Sequence, residues 1–175
     1  MPTYERITET VVSSPTASVT ISGLPTTYED LIVYIFCQST YSVWVDFLNS
    51  RWNGSSASNY NYSYTTFNNN GGTVSASSGY AGNYAETATI AGSPGGSTLN
   101  WSLVKQHIFA YARTTNFKHA LNQASLVSAQ SEGRSFQGDM LFTGNTNAVT
   151  SLTYYPNIGN FAAGSVITVY GVKSA

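Results

Sequence analysis

A chain of 175 residues with seven Lys or Arg, eight Asp or Glu and a net charge of −1 is too short for two well-cored domains of ordinary size. It also carries no basic stretch for nucleic acid. Its 42% hydrophobic and 14% aromatic content excludes a disordered chain, and its longest apolar run, residues 31–37, falls far short of the roughly 20 residues a membrane helix needs.

Period-two alternation recurs throughout and helical periodicity is nearly absent, with Gly, Asn, Ser and Pro clusters at short intervals. This predicts an all-β, antiparallel two-sheet β-sandwich, jelly-roll-like, as a single domain over residues 1–175 with roughly nine to eleven strands. The first strand spans residues 4–12 and ends at Ser13-Ser14-Pro15. Residues 18–22 alternate, with Val19 and Ile21 on one side, and Gly23-Leu24-Pro25 turns the chain while Leu24 plugs the core. Residues 28–38 form the strongest strand. Leu31, Val33, Ile35 and Cys37 share one face and Ile32, Tyr34 and Phe36 the other, which predicts cover on both sides: a core on one, and a layer, a loop or a partner on the other. Residues 42–48 follow, and Asn53-Gly54 then favours a tight turn with positive φ at both positions.

Residues 55–82 are almost wholly Ser, Asn, Gly and Tyr. Tyr60, Tyr62 and Tyr64 alternate on a strand, Asn70-Gly71 is a second hairpin signal, and the rest reads as a long excursion. This chemistry suits either an adaptable binding surface, as in antibody loops, or a solvated loop beside a Tyr-bearing strand. A strand over residues 83–91 ends at Gly92-Ser93-Pro94-Gly95-Gly96. Along residues 98–113 the inward set is Leu99, Trp101 and Leu103, then Val104, Ile108 and Ala110, so a bulge or corner is expected at Lys105. Residues 116–127, 135–142, 148–155 and 164–172 complete the strands, with a turn at 130–133 and Phe161 anchoring the loop before the last strand.

With so few ions, the surface consists of neutral Ser, Thr, Asn, Tyr and Gly. Such a surface is easier to desolvate than one rich in Lys and Glu. It fits a chain packed against neighbours, and also an ordinary β domain with a neutral exterior.

Three motifs occur in order: Met1-Pro2-Thr3-Tyr4-Glu5-Arg6-Ile7 running on through Ser18-Val19-Thr20-Ile21-Ser22 to Gly23-Leu24-Pro25-Thr26-Thr27-Tyr28-Glu29-Asp30-Leu31; Arg51-Trp52-Asn53-Gly54 with Ser58-Asn59-Tyr60; and Val149-Thr150-Ser151-Leu152-Thr153 through Gly159-Asn160-Phe161 to Gly164-Ser165-Val166-Ile167-Thr168-Val169-Tyr170-Gly171-Val172. In this order they resemble small all-β virion structural proteins of tailed bacteriophages, including phages of cyanobacteria and other aquatic bacteria. The resemblance implies a virion component without catalytic activity, made in the host cytoplasm; the N-terminus, which lacks the basic and apolar regions of a signal peptide, agrees with that expectation. Cys37, Trp44 and the Tyr-rich segment depart from the commonest pattern.

Catalytic chemistry is sparse. His107 and His119 could face each other on neighbouring strands, but no Cys or carboxylate stands at ligand spacing, so no metal and no cofactor is expected. Of the carboxylates, Asp46 alternates with Trp44 and Leu48 and is expected to be half-buried, satisfied by Arg51 or a backbone amide. No nucleophile elbow and no phosphate loop occur. Cys37 reads as a small buried hydrophobe, and the Asn-X-Ser triplets at Asn53, Asn61 and Asn100 as products of composition. The leading expectation is a capsid decoration or cement protein, a homotrimer contacting the major capsid protein. The alternative is a tail or head fibre module, in which Trp52, Tyr60, Tyr62, Tyr64 and Tyr80 form an aromatic platform for a host-surface glycan.

Overall fold

The computed structural model describes residues 2–69, 71–96, 100–127 and 133–173. In chain order the strands are β1 (Thr3–Val11), β2 (Val19–Ser22), β3 (Asp30–Cys37), β4 (Val45–Trp52), β5 (Tyr60–Asn68), β6 (Thr73–Gly82), β7 (Ala85–Ala91), β8 (Ser102–Phe109), β9 (Lys118–Val127), β10 (Gly133–Phe142), β11 (Ser151–Pro156) and β12 (Val166–Lys173). Every pairing is antiparallel. Among the described residues one sheet has eight strands in the order β1-β12-β3-β8-β9-β10-β5-β6, and the other four in the order β2-β11-β4-β7. The two-sheet sandwich is therefore as predicted, although eight against four is not the even division of an eight-stranded jelly roll.

The sheets face each other over one core. Leu31, Val33, Ile35 and Cys37 of β3 are fully buried with Ile167 and Val169 of β12, Val104 and Ile108 of β8, and Leu48, Leu152 and Ile90 from the smaller sheet. Leu24 and Phe161 are buried where the turn and the pre-β12 loop were expected to need them, and Phe161 bridges to both Thr16 and Ser39. At Asn53-Gly54 both φ values are positive, +52° and +65°, as that dipeptide favours. The Asn53 side chain then ties the turn to the β11 entry, donating to the Ala148 carbonyl at 2.9 Å and accepting from the Thr150 amide at 2.8 Å.

The core is not wholly apolar. Tyr154 Oη donates to Gln106 Oε1 at 2.6 Å, and Gln106 Nε2 donates to Asn122 Oδ1 at 2.9 Å. Thr87 and Ser50 hydroxyls lie 2.7 Å apart nearby, and Ser50 Oγ points at Met140 Sδ. All of these side chains are buried, so the chain of bonds joins β11 of one sheet to β8 and β9 of the other. Lys118 is also fully buried; its ammonium donates to the carbonyls of Asn116 at 2.7 Å and Thr146 at 2.9 Å, and burial lowers its pKa.

Several expectations are corrected. Residues 55–82 hold two paired strands, β5 and β6, where the Ser- and Gly-rich composition suggested a long excursion. The strand expected at 42–48 begins at Val45 and carries Trp52 as its last residue. β8 has no bulge against either neighbour. Its inward residues are Ser102, Val104, Gln106 and Ile108, while Leu103 points outward and is 52% exposed. The apparent change of phase at Lys105 came from assigning every apolar residue to the core, when this strand places polar side chains inside and an apolar one outside. Leu99, Asn70 and most of the 130–133 turn lie outside the described residues.

Candidate interaction surface

The outer face of the eight-stranded sheet is broad, with Arg6, Glu9 and Asp30 toward its β1 end and few ions from β8 to β6. Because the registers are continuous from β3 to β6, its side chains form rows across the strands. One row runs Phe36, Leu103, Ser125, Ser135, Phe67, Val74; the next runs Tyr34, Lys105, Gln123, Gln137, Thr65, Ala76; a third runs Ile32, His107, Leu121, Asp139, Ser63, Ser78. Lys105, His107 and Asp139 are the only Lys, Arg, His, Asp or Glu side chains in these rows. Large apolar side chains remain open to solvent: Leu103, Leu121 at 53%, Val127, Phe67 and Val74.

The β3 end of the face is preorganised by ring contacts. Phe36 stacks on Trp101 with centroids 4.8 Å apart and planes 6° apart, and Tyr34 meets Tyr170 edge-on at 6.0 Å. Between Tyr34, Leu103, Lys105, Gln123 and Ser125 lies a depression of about 280 Å³. Toward β6 the side chains shrink to Ser63, Thr65, Ala76 and Ser78, and they form a shallow trough of about 560 Å³ beside Leu121 and Gln137. A flat surface with aromatic ridges and shallow troughs matches a protein partner better than a small molecule, which needs a concave pocket. The sequence predicted cover on both faces of β3; within this chain the second face carries Tyr34 and Phe36 substantially exposed.

The tyrosine platform expected from sequence does not assemble. Trp52 and Tyr60 are fully buried. Tyr60 Oη accepts from the Trp52 amide at 2.8 Å and lies within 3.3 Å of the Trp52 and Ser55 carbonyls, so it closes the Asn53-Gly54 turn from inside. Neither side chain can meet a ligand without unfolding that corner, which corrects their assignment as surface residues. Tyr62 and Tyr64 do come together on the inner side of β5, with rings 6.3 Å apart and 4° from parallel. Both hydroxyls hydrogen-bond Glu86 of β7; burial and that carboxylate push the Tyr64 phenol up to about 12 and the Tyr62 phenol upward as well. Tyr80 stands apart and is 88% exposed.

The candidate chemical groups are occupied structurally. Asp46, 2% exposed, accepts from Ser39 Oγ at 2.7 Å and from the amides of Phe47 at 2.8 Å and Gly159 at 3.0 Å; backbone amides, and not Arg51, satisfy it. Arg51 donates to the Asn83 carbonyl and lies over the Tyr155 ring. Cys37 is buried, and desolvation together with the Asp46 charge raises its thiol pKa. His107 pairs with Asp30 at 3.0 Å, and Phe109 packs between His107 and His119, so the imidazoles do not meet directly. Among the described residues no three His, Cys, Asp or Glu side chains gather to hold a metal ion.

Sequence reasoning missed Leu103, Leu121 and Val127 as surface residues. A usable signal was present in β9, where Lys118, Ala120, Asn122 and Ala124 alternate with His119, Leu121, Gln123 and Ser125. The small and polar set faces in, where β7, itself mostly Ala and Thr, packs close against β9 and where Gln106 links Asn122 to Tyr154. Comparison with known families, with curated proteins and with solved structures found no match to this chain.

Proposed function

We propose that this chain is a non-enzymatic structural protein of a tailed-phage virion, a capsid decoration or cement module that assembles as a homotrimer on the shell. The observation that carries the reading is the outer face of the eight-stranded sheet, where Tyr34, Phe36, Leu103, Leu121 and Phe67 are exposed among neutral side chains. Covering it removes apolar area from water, at about 25 cal/mol per Å², and buries almost no charge. The partners are other copies of the chain and the major capsid protein. Each carboxylate among the described residues is held by a neighbour in the same chain: Glu5 by Lys173, Glu9 by Arg6, Glu29 by Arg113, Asp30 by His107, Asp46 by Ser39, Glu86 by Tyr62 and Asp139 by Ser63. That arrangement suits scaffolding, whereas glycoside hydrolysis needs two carboxyl groups set across a cleft.

Gel filtration with light scattering tests the reading. An assembly whose number of chains is a multiple of three is expected, and Leu103→Lys combined with Leu121→Lys is expected to abolish binding to the shell while leaving the fold intact. A monomer at micromolar concentration that ignores the shell overturns it.

A fibre or tail module that binds a host glycan is the second reading, supported by the parallel Tyr62 and Tyr64 rings with Glu86 beside them and by exposed Tyr80. Labelled protein would then bind host cells, and Tyr62→Ala with Tyr64→Ala would remove that binding. Unchanged binding would exclude these rings.

A further inference from the structure

The two borders of the eight-stranded sheet are built differently. β1 carries Glu5, Arg6 and Glu9, its register against β12 shifts between Arg6 and Thr8, and ion pairs to Lys173 and within the strand line it. Charge and a bulge are the usual protections of a strand whose outer amides and carbonyls lack a partner. β6 has neither along most of its length. Its sequence Thr-Val-Ser-Ala-Ser-Ser-Gly-Tyr-Ala-Gly contains no charge and no proline, and it is exposed almost throughout. Its register against β5 is continuous from Thr73 to Gly79 and shifts only between Tyr60 and Tyr62 on the partner, where Ala81 takes φ +51°. The smaller sheet has no comparable border: β2 is four residues long, and most of β7 is buried.

We infer that β6 is an interface, and that its occupant is β6 of a second copy, joined antiparallel about a two-fold axis normal to the sheet. The register that uses the whole regular stretch is centred on Ala76. It sets Ala76 against Ala76 of the second copy, Ser75 against Ser77, Val74 against Ser78 and Thr73 against Gly79. Each pair is small and neutral, and facing Ser hydroxyls can hydrogen-bond. The Tyr62 ring lies across Gly79, where an added Cβ would meet it at 2.4 Å, so the glycine position is already roofed and accommodates the opposing Thr73. Self-complementarity in one register is what an isologous contact demands. The axis keeps both outer faces on the same side of the joined sheet, so the pair presents a doubled docking face to one surface. This contact is two-fold and separate from the three-fold association proposed above.

Ala76→Cys tests the contact, since Cys37 is buried and silent. Under mild oxidation Ala76→Cys is expected to give a covalent dimer that reductant dissolves, while Tyr4→Cys on β1 stays monomeric on the same gel. Ala76→Lys, which sets two ammonium groups against each other, is expected to halve the mass measured by light scattering without changing the circular dichroism spectrum at 25 °C. A thiol at position 76 that never cross-links, or an unchanged mass for Ala76→Lys, overturns the inference. A trimer that forms without the cross-link overturns only the β6 contact. A cross-linked dimer without trimers keeps the contact and overturns the three-fold proposal.

Discussion

Replacing Tyr154 by Phe removes one hydroxyl from the interior and nothing else. Tyr154 is fully buried, and its Oη donates to Gln106 Oε1 at 2.6 Å. Without it that oxygen loses its donor in a dry interior, at a cost of about 1–3 kcal/mol. Gln106→Leu strands both the Tyr154 hydroxyl and Asn122 Oδ1, which accepts from Gln106 at 2.9 Å, so its cost is about 2–5 kcal/mol. The double variant strands only Asn122 and should cost less than the sum of the singles, with a coupling of about 1–2 kcal/mol. Urea titration followed by tryptophan fluorescence measures all three, provided the m-value stays constant. For a chain of this length each kcal/mol lowers Tm by about 2–4 °C. Single variants that add within about 0.5 kcal/mol, or a Tyr154→Phe protein as stable as the parent, would refute the claim that this bond locks β11 onto β8.

Alkaline titration gives a second outcome. Burial raises the phenol pKa of Tyr154, Tyr60 and Tyr64 above the usual value near 10, so the folded state keeps protons that the unfolded state releases. The raised folded value means that their stabilising contribution is complete below pH 10 and is lost as pH climbs through the folded values; Lys118, lowered by burial, opposes this as a single group. Phenolate absorbance at 295 nm should therefore lag behind that of free tyrosine and rise together with unfolding. Lys118→Met keeps most of the aliphatic stem but leaves the carbonyls of Asn116 and Thr146 unpaired, and should cost about 2–4 kcal/mol by urea titration. Asp46→Asn puts an amide donor where four donors already converge and should cost about 2–4 kcal/mol, most visibly as increased proteolysis near Gly159.

The fold class was legible because alternation with two strongly apolar strands, β3 and β12, leaves no other architecture for a chain this short of helix signals. Turn chemistry was legible where φ sign decides it, as at Asn53-Gly54. Local patterning could not show which face of β8 and β9 points inward, because burial there depends on the opposite sheet: Gln106 and Asn122 face in to meet Tyr154, and Leu103 and Leu121 face out. The tyrosine site was half legible for the same reason. Alternation put Tyr60, Tyr62 and Tyr64 on one side, correctly, but the depth of each depends on how far the smaller sheet reaches beneath β5. Tyr60 lies under it, close to Trp52, whereas Tyr62 and Tyr64 sit at its margin beside Glu86.

An eight-stranded sheet backed by only four strands leaves its β6 end without a second layer, and β6 is exposed along almost its whole length. The free energy needed to open backbone hydrogen bonds locally must then fall along the sheet, from near-global values at β3 and β12 to small ones at β6. Deuterium uptake would follow that gradient strand by strand in the isolated chain. Subunit contact at β6 would flatten it, so assembly would be recorded as slowed exchange in the hairpin that the core protects least.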